Sequence, residues 1–477
     1  MSAAAALICA ALSSPSSPPP CATAVVGGGW AGVYAAWRLS VDAKAVPPSD
    51  LCLFEARQAV GGRTYSVEVG KGASSLVLDV GAYRFGKQQH LPGDLILERF
   101  NFSVVCYQPD CQPDPEFHEV LYRVVDAQGR NAGYSAPILR MLKDLVSAGV
   151  RIHYGYELTG IYAGETEGDG GSTSALHFAG GVVVGAKAVL LNLPRPALAR
   201  LDPRSTVFPK DTRALSYQLL RNCTPCVNRA AGMPPHTSLA VKVYALYDDA
   251  WWLTKLGLKE GSFQSLDRSP PLIGRYHDGP VRRSAGGHGA PDGPGALEAV
   301  YAYSTQSPQI SFYEPFAADV AADPLTRTSD PALVLPLHAH LMAFHAEAFA
   351  KVGLNATTDV PPPRELALGV WSTDPLAMLP EPLSANMHAM VHSPLCPVEP
   401  CIAGLTPHEY NAAVASPNPA VNVHVANNDF AWTGDQGVPC CWAEQSLKSV
   451  ERTLHTAWAL PRPEWLDADY YANLLVA

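Results

Sequence analysis

Charge is scarce in this chain: only 16% of its 477 residues are Asp, Glu, Lys or Arg, and the formal net charge is −10. That balance supplies no basic face of the kind nucleic acid requires, so a nucleic-acid partner is excluded. Long apolar runs are missing as well. None reaches the roughly 18 residues that a spanning helix needs, so no membrane span is expected and the chain reads as soluble. Residues 3–12 form an apolar run of signal-peptide length, with a Ser/Pro-rich spacer at 13–20, but no Lys or Arg precedes it. Without a positive n-region, a signal peptide and a disordered extension both fit. A tight second cysteine pair after Cys223/Cys226 is absent too, which leaves a zinc site incomplete, and no metal is expected.

What is present is the composition of a globular protein, with 47% apolar residues in a chain too long for one core; two domains are expected. Eight of the 11 cysteines form four close sets, Cys106/Cys111, Cys223/Cys226, Cys396/Cys401 and Cys440/Cys441. Short-range pairs in Pro-rich loops read as disulfides, which belong to an oxidising compartment. Sequons at Asn101, Asn222 and Asn355 are permissive for secretion. Secreted or lumenal is the expected location.

The most informative segment begins at Thr23. A short β-branched run leads into Gly27-Gly28-Gly29-Trp30-Ala31-Gly32 and then into helix formers. In this strand–turn–helix context Gly27 permits the tight turn and Gly29 lets a pyrophosphate approach the backbone. Gly32 lets the helix pack close, and the helix N-terminus presents unpaired N–H groups to the phosphates. Leu51-Cys52-Leu53-Phe54-Glu55 reads as a second buried strand, whose terminal carboxylate can accept ribose hydroxyls. Glu55 sits further along than usual, and the Pro-containing insert 41–50 accounts for the excess. Gly61-Gly62-Arg63-Thr64 follows, with two glycines for close approach and a guanidinium for a diphosphate. A nicotinamide domain does not ordinarily need that second contact.

Glycine turn, Glu55 and Gly-Gly-Arg together resemble the flavin-containing amine oxidase family, in particular its L-amino acid oxidases, over most of residues 23–456. The resemblance implies FAD. It also implies that Leu78-Asp79-Val80-Gly81-Ala82-Tyr83-Arg84-Phe85 passes beside the flavin ring, with Gly81, Tyr83 and Arg84 at the cofactor. In amino acid oxidases an Arg at this place binds the substrate carboxylate; a structural salt bridge, or an Arg facing a cofactor phosphate, is the alternative for Arg84. The backbone near Leu158 would meet the adenine. Lys242 stands ten residues before Trp252, reproducing the family's Lys-to-Trp spacing with Trp251 in place of Phe, and would hold a water at the flavin. A surface Lys on a half-exposed strand is the alternative. Trp442 matches an aromatic that sandwiches the substrate, with core packing as its bland reading.

Departures from the family pattern bear on the site. Its Phe-Ala-Gly-Glu reads Val425-Ala426-Asn427-Asn428-Asp429 here, so Asn428 or Asp429 must replace the Glu. Gln445 stands where a Gly is usual, and Cys440-Cys441 directly precedes Trp442, as a disulfide or as two thiols. Where covalent relatives carry their linking Cys, this chain has Met378-Leu379-Pro380, so FAD is expected to be non-covalent.

The expected fold is α/β, a Rossmann-like FAD-binding domain assembled from discontinuous segments plus an α+β substrate-binding domain. The segments are 1–20 as leader or extension, 21–90, 136–200 and 415–460 for FAD, 91–135 and 201–414 for substrate, and 461–477 as tail. Locally a helix is expected over 136–148 and another around 335–352, with strands at 157–162, 174–178, 182–184 and 188–193. The expected activity is oxidation of a small amine or amino acid by oxygen. The favoured form is L-amino acid deamination to 2-oxo acid, ammonia and hydrogen peroxide. A monoamine or polyamine oxidase, or an inactive FAD-binding protein, is the alternative. A homodimer is compatible with the sequence, and no acid–base residue stands out among the 15 histidines.

Overall fold

The computed structural model describes residues 18–70, 75–114, 118–164, 173–222, 238–276, 294–303, 312–313, 315–316, 325–373, 405–430 and 443–476. Its first layer is a seven-stranded sheet. Strand β1 (Cys21–Val26) is apolar because it lies between parallel neighbours, with faces covered on both sides. Helix α1 (Trp30–Trp37) follows with all eight residues buried. Strand β2 (Leu51–Glu55) pairs parallel to β1 and is likewise buried throughout. Helix α2 (Ala136–Ala148) has the expected bounds. Its buried Ile138, Met141 and Leu145 recur at helical spacing, and Gly149 closes it at φ 91°. Arg151–Tyr154 extends the sheet beyond β2, and Leu158–Ala163 and Ser174–Phe178 form a meander that returns to β3 (Val183–Leu191).

The sequence leads one to expect two strands between residues 182 and 193. Two strands at 182–184 and 188–193 are in fact the single strand β3. Gly185 does not break it, because ladders with β1 and with Ser174–Phe178 hold the backbone extended on both edges.

The second layer is a six-stranded antiparallel sheet around β4 (Ser238–Tyr247), which pairs with β5 (Gly295–Tyr303) and with Glu365–Thr373. Alternation along β4 sends Val241, Val243 and Ala245 into a core covered by α3 (Pro331–Lys351), which contributes Leu333, Leu337, Leu341 and Phe349. The opposite face carries Tyr244 and Leu246 and packs on Leu76, Leu78 and Val80, so this sheet rests directly on the strip that leads to Arg84.

Helix α3 buries three histidines, His338, His340 and His345. His345 donates from Nδ1 to the Leu341 carbonyl (2.7 Å) and accepts at Nε2 from the Tyr276 hydroxyl (2.7 Å), so it is held neutral. Burial pushes its pKa down to about 4. The unfolded chain therefore binds the extra proton first, near 6.5, and the contribution of His345 is complete above that pH. It is lost as the pH falls toward about 4, a change of roughly 3 kcal/mol. Urea unfolding of His345→Gln should be less steeply acid-sensitive between pH 7 and pH 4 than that of the native chain. Identical slopes would contradict this.

The C-terminal segment returns to the first layer. Val423–Val425 pairs with β3, and helix α4 (Ala443–Trp458) packs on α1. Packing also joins segments that are distant in the chain. Leu91, Leu95, Ile96, Val124 and Tyr134 belong to the core around α1, and Leu201, Val207, Phe208, Tyr410 and Val414 cover the other face of the first sheet. The stretch beyond 460 folds back as helix Ala468–Val476 and buries Leu466, Tyr471 and Leu474 in the core around α1. These segments follow the apolar faces left open by the sheet rather than their position in the chain.

The expected Cys106–Cys111 disulfide forms. A second, Cys21–Cys52, joins β1 to β2. The pairs Cys223/Cys226, Cys396/Cys401 and Cys440/Cys441 lie outside the described residues, as do the leader through residue 17, Met378-Leu379-Pro380 and Trp442. No helix among the described residues is long and apolar enough to cross a membrane.

Candidate functional site

Two loops meet at the carboxyl ends of β1 and β2. Gly27 turns at φ 101° and donates its N–H to the Phe54 carbonyl (2.8 Å). A Cβ on Gly32 would overlap the Gly27 carbonyl oxygen, so helix α1 can start this close to the turn only with glycine there. No side chain caps the N-terminus of α1, and its first turn holds no acid. Beside it, Gly61 donates to the Gly28 carbonyl (2.8 Å) and bridges to Gly29, and Gly62 lies against the Gly29 backbone. The buried Glu55 carboxylate accepts from Gly28 N (2.6 Å) and Arg57 N (2.9 Å), which fixes it at the mouth of the turn.

Arg63 leaves this loop toward the far end of the sequence. Its guanidinium pairs with Asp429 (2.6 Å) and donates to Asn427 (3.3 Å) and to Asn428. Both residues expected to replace the family's Glu are thus brought to Arg63, with Asp429 supplying the charge. The second Asp429 oxygen accepts from Arg195 N (3.0 Å). Leu158 turns its side chain into the sheet core, but the backbone leading to it flanks Glu55, since Tyr156 N donates to the Glu55 carbonyl (2.9 Å). A glycine-lined turn, an uncapped helix start, a carboxylate at the strand end and an adjacent guanidinium are the parts that a dinucleotide requires, and these residues fit one.

The second half of the site is the joint between the layers. Lys242 is 3% exposed, which removes the reading of a surface lysine. Its ammonium donates to the carbonyls of Asp79 (2.9 Å) and Gly81 (2.8 Å) and stands 3.3 Å from the centroid of the Tyr83 ring. Tyr244 donates to the Asp79 carbonyl (3.2 Å) and Trp371 to that of Val80 (2.7 Å). Three donors from the second sheet therefore hold the 79–81 strip, while Gly81 N and Ala82 N bond to the loop of Arg63. The strip connects the glycine-lined loops to the second sheet. The Asp79 carboxyl is pushed up by burial, despite the nearby Lys242 ammonium and bonds from Ser66, Tyr134 and Asn131.

Arg84 ends the strip, 7% exposed. Its guanidinium lies 4.4 Å from the Tyr107 ring centroid, 5.5 Å from that of Tyr83 and 5.9 Å from that of Tyr301. Asp114 is its ion-pair partner at 3.5 Å. Burial alone would lower its pKa, but the three tyrosines and Asp114 more than offset this and keep it charged. Tyr107, Asp114 and Tyr301 were not legible as site residues. Tyr301 sits opposite Lys242 in the β4–β5 ladder, and Tyr107 adjoins Cys106 of the disulfide, but neither place is visible before the pairing is known.

A family described as NAD(P)-binding Rossmann-like domain matches residues 25–92. No curated protein matches the sequence. Among solved structures, a putrescine oxidase variant from a structure-based redesign of cofactor binding is similar over 93% of this chain and 100% of its own, at 13% identity and a TM-score of 0.51. The wild-type putrescine oxidase bound to putrescine is similar over 92% and 98%, at 13% identity and a TM-score of 0.50. The architecture is the flavin amine oxidase fold, a Rossmann-like α/β domain with a second domain attached, as expected.

Proposed function

We propose that the chain is an FAD-dependent oxidase that converts L-amino acids, oxygen and water to 2-oxo acids, ammonia and hydrogen peroxide. The observation that carries this reading is a buried, charged Arg84 in a tyrosine sleeve, on a strip that Lys242 ties to the second sheet and that Gly81 N and Ala82 N tie to the loop of Arg63. Gly27, Gly29, Gly32, Gly62 and Arg63 would hold the diphosphate, and Glu55 the adenosine ribose. Asn428 and Asp429 would hold Arg63 in place. FAD, bound without a covalent link, supplies a two-electron acceptor that oxygen regenerates. Arg84 would orient a substrate by its carboxylate through a bidentate fork, and the tyrosine rings would exclude water around it. Lys242 would place positive charge beside the reacting centre, and Trp442 would face the substrate. The two disulfides are compatible with a secreted or lumenal protein.

A second reading, oxidation of an amine without a carboxylate, draws support from the Arg84–Asp114 pair and from the fold shared with putrescine oxidase. Peroxide release from a panel of L-amino acids and amines separates the two. On the first reading, Arg84→Ala lowers kcat/KM for amino acids roughly 10- to 100-fold, the value of a charge-assisted pair, and spares amines. Peroxide from amines alone, undiminished in Arg84→Ala, would establish the second reading.

A further inference from the structure

We infer that Asp114 is a specificity-determining residue: an internal carboxylate that occupies Arg84 and is exchanged for the carboxylate of an incoming ligand. The inference rests on the proposed role of Arg84 as a carboxylate fork.

The geometry of the pair is that of an exchangeable partner. Asp114 Oδ2 lies 3.5 Å from Arg84 Nη1, longer than the about 2.7–2.9 Å of a charge-assisted hydrogen bond. The same oxygen accepts from Gln108 Nε2 at 3.0 Å, so Gln108 is the closer of these two partners. Asp114 is also tied at its backbone, donating to the Glu119 carbonyl (2.8 Å) and accepting from His118 N (2.8 Å). An Asp114 that gives up Arg84 therefore keeps Gln108 and its turn.

Arg84, for its part, is fixed by something other than Asp114. Tyr107 faces its guanidinium, and the Tyr107 hydroxyl is hydrogen-bonded to that of Tyr83 (2.6 Å), which locks the two rings to each other. Tyr107 lies inside the short loop closed by the Cys106–Cys111 disulfide, and Asp114 follows just after it. The fork is thus presented in a set plane whichever carboxylate it meets. A ligand that engages both arms of the fork replaces a loose contact by two short ones, and the net affinity is the difference between them. A second guanidinium, Arg275, lies 5.3 Å from the Tyr107 ring centroid. The buried Glu298 stands opposite it in the ladder.

The test uses benzoate, an aryl carboxylate suited to a guanidinium lined by tyrosines, titrated by calorimetry into the full chain as purified. Asp114→Asn removes the internal competitor at constant volume and should tighten benzoate about tenfold. It should also lower KM for amino acids by a similar factor with kcat unchanged. Gln108→Leu removes the closer partner of Asp114, leaves Asp114 more dependent on Arg84, and should weaken benzoate about threefold. Opposite shifts from these two substitutions are not what a merely structural role produces. Benzoate affinity that is unchanged or weaker in Asp114→Asn overturns the inference, as does an absence of benzoate binding in both native and Asp114→Asn chains. Should Asp114→Asn not fold, Gln108→Leu decides: weaker binding supports the inference, and unchanged or tighter binding overturns it. A native chain that oxidises only amines ends the amino acid reading, while the calorimetric result still judges Asp114 separately.

Discussion

Purified Gly32→Val protein is expected to be colourless. The turn that starts α1 leaves no room for a side chain at this position, since a Cβ would lie inside the Gly27 carbonyl oxygen and close to the Asn192 side chain. Accommodating valine means moving α1 away from the turn, and with it the N–H groups that would face a diphosphate. Flavin affinity should fall by at least about 100-fold, the equivalent of roughly 3 kcal/mol. Gly29→Ala is the matched control. Its Cβ would stand 3.3 Å from the Asn192 side-chain oxygen, which can yield by a few tenths of an ångström, so most of the flavin should be retained. The ratio of flavin to protein absorbance reads the outcome, with far-UV circular dichroism to establish that both variants are folded. A folded Gly32→Val protein carrying a full complement of flavin would refute the assignment of the cradle.

Glu451→Ala should be the most destabilising of the single substitutions in the core around α1. Glu451 is fully buried on α4 and accepts from the Tyr34 hydroxyl (2.6 Å) and Arg38 Nε (2.7 Å), both on the α1 side. Arg38 is 1% exposed and also reaches Asp42 (2.6 Å) and the Pro461 carbonyl (2.8 Å). Burial disfavours its charge, but Glu451 more than compensates and raises its pKa. Removing the carboxylate leaves a guanidinium in the core without its main counter-ion, at a cost of about 3–5 kcal/mol. The double variant Arg38→Met/Glu451→Leu removes both charges together and should recover most of that loss. Denaturant unfolding of the three proteins measures it. A single variant within about 1 kcal/mol of native would show that this network does not hold α1 to α4.

Where sequence reading succeeded, the signal was local. Strand β2 and helix α2 have the bounds their apolar periodicity and closing residues imply, and the glycine turn sits between a strand and a helix as its context required. Where it failed, the deciding partner was remote. Cysteines that are neighbours in sequence drew attention to Cys106 and Cys111, but Cys21 and Cys52 are 31 residues apart and meet only because β1 and β2 pair. Asp114 carried no signal because its meaning depends on Arg84, a residue remote in sequence that meets it only in the fold. Lys242 was legible by spacing; that it serves two backbone carbonyls rather than a half-exposed strand face required the second sheet to be seen lying on the 79–81 strip.

The partners of Arg63 arrive 364 to 366 residues after it. During synthesis the glycine turn and Glu55 therefore leave the ribosome long before the residues that hold Arg63 beside them. On the proposed assignment, a fragment ending before residue 427 should contain the whole fingerprint and yet retain no nucleotide, as the flavin absorbance of the purified fragment would read.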